Sequence, residues 1–218
     1  EFIENKGQWD SRVQFKGEFP TGAFFLQQKG FTVLLNNPED LLRLGVHHNH
    51  DEKTPGKGKT AQKKNSRLDV DPINDNRKGS SGKILRSHAY VVEFTGASEN
   101  AQIVPDKTVP SVNNYIIGDD PSKWASNVKI YQAVLYKNIY PNIDLRYYSE
   151  GDRLKYDLIV HPGGDPRSIV MKYTGAEKLS VRNKELIIKT SVGETREMYP
   201  YTFQPDDVKG RKEIPNKY

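Results

Sequence analysis

Residues Ile143–Val160 read IDLRYYSEGDRLKYDLIV, and this stretch decides the fold class. Leu145 and Tyr147, then Leu154, Tyr156, Leu158 and Val160, fall on alternate positions. A period of two places them on one face of an extended chain, whereas a helix would need a period of 3.6. Ser149-Glu150-Gly151-Asp152 between the two runs supplies turn residues. The segment reads as a β-hairpin with one buried face.

The same grammar extends in both directions. Upstream lie HAYVVEFTG from His88, NAQIV from Asn100, NNYIIG from Asn113 and VKIYQAVLYKNIY from Val128. Downstream lie SIVMKYTG, KLSVRNKELIIKT and MYPYTFQ. Near the start, Val13, Phe15 and Phe19 alternate with polar residues. GAFFLQQKGFTVLL then gives two apolar runs split by Gln27-Gln28-Lys29-Gly30. Asn36 or Asn37 followed by Pro38, Glu39 and Asp40 has the order of a helix start, and the helix should end near Gly45 or run on into the histidines beyond it. The expected fold is all-β: an antiparallel β-sandwich with one or two short helices, possible as two packed lobes divided near residues 50–85. By segment, 1–50 gives β-hairpins and a short helix packing on the main domain, 51–83 a flexible basic and polar insertion, and 84–218 the main antiparallel domain. Glu93-Phe94-Thr95-Gly96-Ala97 echoes Lys172-Tyr173-Thr174-Gly175-Ala176, the trace of a duplication or of two strands that each end in a glycine turn.

The 218-residue chain is long enough to bury a core, with 35% hydrophobic and 28% charged residues. Its formal charge of +5 is a local property. Lys53–Arg67 holds six basic residues and no acid, and the remainder is close to neutral. That run has no aromatic residue, so the interleaved basic and aromatic surface that single-stranded nucleic acid requires is missing, and no nucleic-acid partner is expected. The chain has no cysteine, which excludes disulfides, zinc–thiolate centres and cysteine catalysis. No apolar run is long enough for a membrane-spanning helix.

Candidate sites are few. In Ile117–Trp124, IGDDPSKW, Asp119 or Asp120 can cap a turn that Pro121 opens, with Trp124 expected to pack inward behind it. A Trp124 that faces solvent would instead be a stacking platform. Trp9, Asp144 and Asp157 complete the candidate ligand-binding residues. His47 and His50, spaced i, i+3, with Asp51 and the neighbouring His48, form the densest metal-capable cluster, suited to weak zinc binding. Asp69, Asp71, Asn74 and Asp75 in DVDPINDN imitate a calcium loop but lack its central glycine and distal glutamate. No cofactor is expected beyond such weak calcium or zinc. Nucleophile elbows, HExxH, phosphate loops and dinucleotide fingerprints are all missing.

Four ordered stretches carry a family resemblance: Phe2–Trp9 (FIENKGQW), Asn114–Trp124 (NYIIGDDPSKW), Tyr136–Leu145 (YKNIYPNIDL) and Tyr156–Pro166 (YDLIVHPGGDP). Together they resemble an uncharacterised N-terminal β domain of large secreted Bacteroidota proteins, which carry SBBP repeats, PKD-type modules or gliding-motility-associated C-terminal sorting domains. The resemblance implies export through a type IX-like route, a signal peptide removed before Glu1, a cell-surface setting and further modules beyond Tyr218. It supplies no catalytic residue. The expected function is a non-catalytic surface module for adhesion, carbohydrate or protein binding, or structural capping, with surface proteins or glycans as partners. The alternative is a carbohydrate-active β-sandwich enzyme.

Overall fold

The Ile143–Val160 hairpin forms with strands β8 (Ile143–Glu150) and β9 (Arg153–Val160) in register from Ile143↔Val160 to Glu150↔Arg153. Gly151 takes φ +59° in the two-residue connection, where a side chain would be strained. Ile143, Leu145 and Tyr147 are completely buried, while Asp144, Arg146 and Tyr148 turn outward. The structure is a computed structural model that describes residues 1–45, 84–151, 153–206 and 210–216.

This hairpin is one end of a ten-stranded antiparallel sheet ordered β10-β5-β4-β3-β2-β1-β7-β8-β9, with β6 paired to β7. Its other members are β1 (Phe2–Glu4), β2 (Phe15–Phe19), β3 (Gly22–Gln27), β4 (Gly30–Asn36), β5 (Ser87–Phe94), β6 (Gln102–Tyr115), β7 (Ala125–Tyr140) and β10 (Met171–Thr174). β6 follows one side of β7 over nearly its full length, so β1 and β8 share the other side: Phe2 pairs with Tyr131, and Ala133 with Tyr148. One long strand thus serves two runs of sheet, and the sheet curls onto itself. Phe31 on β4 meets Tyr147 on β8 edge to face at 5.9 Å, and Phe94 on β5 meets Tyr156 on β9 at 6.4 Å. Such contacts join the two halves of one continuous, sandwich-like core. The hydroxyls of Tyr136 and Tyr147, 5.4 Å apart by ring centre, lie inside it without a protein partner among the described residues.

The all-β expectation holds, with one α-helix among the described residues, α1 (Pro38–Leu44), and two single 3-10 turns among them at Pro121–Lys123 and Pro166–Ser168. Asn37 caps α1 by accepting from the Asp40 N–H, Pro38 opens it, and Gly45 closes it in a left-handed conformation. The strands do not sort into two lobes around residues 50–85. β4 and β5, on either side of that stretch, are direct partners over seven residue pairs. Asp40 closes the same stem, binding Arg86 through Nε (2.8 Å) and Nη2 (2.9 Å). The Arg86 guanidinium holds the Asp40 carboxyl down to about 2. The two Thr-Gly-Ala endings belong to neighbouring antiparallel strands, β5 and β10, where Glu93 pairs with Lys172.

A smaller sheet, β11 (Lys178–Arg182), β12 (Glu185–Thr190) and β13 (Gly193–Glu197), docks on the first. It contributes Ile188, fully buried, to the common core. It also brings Glu197 to the free ends of the curled sheet, where the hydroxyls of Tyr156 on β9 and Tyr173 on β10 donate to its carboxylate at 2.8 and 2.6 Å. Burial disfavours the charge there. Despite those two donors, the Glu197 carboxyl stays above its usual range. A separate hairpin, β14 (Phe203–Asp206) with β15 (Gly210–Glu213), completes the described chain.

Candidate functional site

The loop between β1 and β2 is organised by Asn5. Its Oδ1 accepts from the N–H groups of Gly7 (3.0 Å) and Trp9 (3.2 Å), and its Nδ2 donates to the carbonyls of Asp10 and Val13, both at 2.8 Å. A short polar side chain that bonds to backbone groups within its own loop substitutes for regular structure there. Lys6 extends the loop outward, donating to the carbonyls of Ser126 and Asn127 at the start of β7. Trp9 sets its ring against Tyr115 at 5.3 Å, edge to face, and the Lys16 ammonium lies over the Trp9 ring at 5.4 Å.

The β6–β7 connection meets this loop. Asp120 is its cap: Oδ1 accepts from Ser122 N (3.0 Å) and Ser122 Oγ (2.7 Å), Pro121 opens the single turn, and Trp124 N–H donates to Pro121 O. The Ser122 hydrogen bonds hold the Asp120 carboxyl below its usual range. The expectation of a capped turn is met. The expectation that Trp124 packs inward is not. The ring is 43% exposed, and its Nε1 donates back to Gly118 O at 3.2 Å. The physical reason is the hairpin's length. Ala125 and Val128 are buried, but β7 joins the common core only from Tyr131, so the β6–β7 connection lies beyond it. Ile116 and Ile117 beside it are also exposed, at 63% and 41%. Tryptophan, isoleucines and the Trp9–Tyr115 pair thus gather at one end of the molecule, built from two of the four stretches that carried the resemblance.

The other two stretches meet elsewhere. Asp144 accepts from Asn138 N at 2.7 Å and from His161 Nε2 at 2.9 Å, and His161 N–H donates to Asn142 O. Burial works against the Asp144 charge, but the Asn138 and His161 donors outweigh it and hold the carboxyl below its usual range. Asp157, on the same outer face, accepts from Tyr148 OH at 3.2 Å. Ile159 pairs with Asp144 and Asp157 with Arg146, so the two aspartates are diagonal neighbours roughly 7–8 Å apart along the hairpin. Asp144 and Glu197 have carboxyls shifted in opposite directions, the pattern of an acid and a base. They nevertheless stand on opposite faces of β8 and β9, and cannot address one bond.

The described residues hold no group of three or more histidine and acidic side chains close enough for a metal. His47, His48, His50, Asp51 and the DVDPINDN segment lie outside the described residues. Two arrangements escaped the sequence reading. Asn5 looked like any loop asparagine, although an asparagine flanked by Gly7 and Trp9 in a short connection is a signal for such a hub. His88 has Nε2 on Gly175 O (2.8 Å), which makes that nitrogen the donor and leaves Nδ1 to accept from Ser191 Oγ–H (2.9 Å) and Ser191 N–H (3.2 Å). This serine–histidine pair ties β5 to the turn between β12 and β13. It has a carbonyl where a catalytic dyad would place a carboxylate.

A family model described as a domain of unknown function, DUF7948, matches residues 2–218. The chain belongs to this family. No curated protein and no solved structure matches it. The match runs through every element of the DUF7948 domain described above, from β1 to β15, so the Asn5 loop and the Trp124 connection are both inside the family's bounds. Among the described residues, no helix is long and apolar enough to cross a membrane.

Proposed function

We propose that this DUF7948 domain is a non-catalytic recognition module of an exported cell-surface protein, and that it holds glycans on the aromatic end formed by the Asn5 loop and the β6–β7 connection. The supporting observation is the open ring of Trp124, anchored through its own Nε1. A flat apolar ring fixed in one orientation and bordered by polar turn residues suits stacking on the C–H face of a sugar at little entropic cost. The four-stretch resemblance supports the setting: Bacteroidota-type secretion and an N-terminal position ahead of SBBP repeats, PKD-type modules or a gliding-motility-type sorting domain. Surface proteins and further domains of the same chain are the other partners this reading allows.

Affinity electrophoresis through gels containing soluble polysaccharides tests it. Trp124→Ala should abolish retardation and cost under about 1 kcal/mol of stability, because a half-exposed ring loses little on truncation. In a Trp9→Phe background, the Trp124 emission should be red-shifted, quenched by acrylamide, and protected by the polysaccharide that retards the protein. Retardation that survives Trp124→Ala would remove the proposal.

The enzymatic reading has in its favour that Asp144 and Asp157 are diagonal neighbours on one sheet face, since glycosidases use a pair of carboxyl groups about 5–10 Å apart. Against it, both carboxylates are engaged on an outer sheet face, and the Asp144 carboxyl is shifted away from the range of a general acid. Turnover of aryl glycosides that Asp144→Asn abolishes would reinstate it.

A further inference from the structure

The turn between β3 and β4 borders a groove of about 350 Å³, well away from Trp124 in the strand order. This is within the range of about 300–1,000 Å³ that small-molecule sites occupy. One cross-strand row crosses it: Gln27 pairs with Gly30, and Gly30 with Glu93. Gly30 makes the gap. A Cβ at that position would lie 2.0 Å from the Val92 carbonyl oxygen, so no side chain can fill the middle of the row. Gln14 extends it on the near side, where its N–H donates to Leu26 O.

The state of the lining groups selects a ligand class. Arg12 is held bidentate by Asp10, at 2.9 Å through both Nε and Nη2, and Lys29 is paired with Glu99 at 2.9 Å. Both positive charges are therefore answered from outside the groove. Among the described residues the side chains of Gln14, Gln27 and Glu93 make no hydrogen bond; Glu93 has only the longer-range attraction of Lys29 and faces Lys172 across the strand pair. What remains free is two amides, each both donor and acceptor, and one carboxylate acceptor. A further anion would meet the Glu93 carboxylate, with the two cations of the lining, Arg12 and Lys29, already engaged by Asp10 and Glu99, and an apolar ligand would leave the amides unsatisfied. Neighbouring hydroxyl groups match all three, and Val91, 36% exposed, offers an apolar surface to a ring's C–H face.

We infer that this groove is a second carbohydrate subsite, specific for neutral sugars, with Gln14, Gln27 and Glu93 as its hydrogen-bonding groups. It rests on the reading of the domain as a glycan-binding module and shares the Asn5 loop with the first site, since Gln14 O accepts from Asn5 N–H at 2.9 Å, but it uses neither Trp124 nor Trp9. The test is an amide-detected NMR titration of the described domain with glucose, galactose, mannose, N-acetylglucosamine, maltose, cellobiose and lactose, and separately with inorganic phosphate. The side-chain amide signals of Gln14 and Gln27 should shift saturably with at least one sugar and not with phosphate. Gln27→Ala should weaken that binding about tenfold, the effect of losing one or two hydrogen bonds, and Trp124→Ala should leave it unchanged. Shifts confined to the Trp124 indole would overturn the groove while keeping the proposed function; shifts confined to the glutamines would do the reverse. No saturable shift at the glutamines with any of these sugars, or saturable backbone amide shifts at Gly30 and Glu93 that persist with unchanged affinity in a Gln14→Ala/Gln27→Ala double variant, overturns the subsite.

Discussion

Asn5 and Glu197 illustrate two opposite uses of a partly buried polar side chain. Asn5 is satisfied on every side by its own loop, so truncating it leaves several backbone groups without partners. Asn5→Ala should cost about 2–3 kcal/mol and loosen Trp9, read as a lower unfolding midpoint and a red shift of the Trp9 emission in a Trp124→Phe background. An unchanged midpoint would show that the loop is held without Asn5, by Lys6 and by Gln8, whose side chain accepts from Lys6 N–H and donates to Glu4 O, both at 2.7 Å. Glu197 is different, because its environment favours the neutral form. A carboxyl whose folded pKa is raised above its unfolded value adds stability that is full below the unfolded value, near pH 4.5, and is lost as pH rises through the folded one. Glu197→Gln keeps an acceptor for Tyr156 or Tyr173 without the charge. The variant should therefore gain on the native protein as pH rises from 4 to 8, in paired thermal melts. A gap that stays constant, or that moves towards the native protein, would contradict the assignment. Pro121 and the pairs of cap candidates, Asp119 or Asp120 and Asn36 or Asn37, could be read from the sequence, because capping depends on residues within one turn; the structure selects Asp120 and Asn37. The exposure of Trp124 could not, since it depends on how far a hairpin projects beyond the core.

At the scale of elements, β6 shows where local reading failed and why. NAQIV and NNYIIG look like separate strands because Asp106–Ser111, DKTVPS, carries a breaker. In the structure they form one strand of 14 residues. An edge strand tolerates what a central one cannot: Pro105 and Pro110 each remove an N–H, Lys107 takes φ +57°, and the register shifts between Thr108 and Val112. These irregularities do useful work on an edge of that length, since they deny a second chain a regular row of donors. Replacing Pro105, Lys107 and Pro110 together by threonine should make the domain associate edge to edge, seen as concentration-dependent light scattering and thioflavin binding. A triple variant that remains monomeric at high concentration would show that the twist of the sheet alone protects this edge. β8 and β9, by contrast, were legible as a hairpin, because period two and a glycine turn leave no competing register, although Ser149 and Glu150, read as turn residues, belong to β8.

For the whole molecule, periodicity announced antiparallel sheet but not the order of strands. That order depends on pairings between distant segments, above all β1 with the middle of β7 and β10 with β5. The division of the chain near residues 50–85 was a break in composition and not a boundary between bodies. β4 and β5 close over it with a ladder of seven pairs, reinforced by Asp40 and Arg86. That closed stem means that the covalent bond between the two parts contributes effective concentration and not architecture. Produced as two separate polypeptides, 1–52 and 68–218, the domain should assemble into a single 1:1 complex on a sizing column. Its melting temperature should then rise with protein concentration, as the intact chain's does not. Two soluble fragments that fail to find each other would mean that the stem forms only when its ends are tethered.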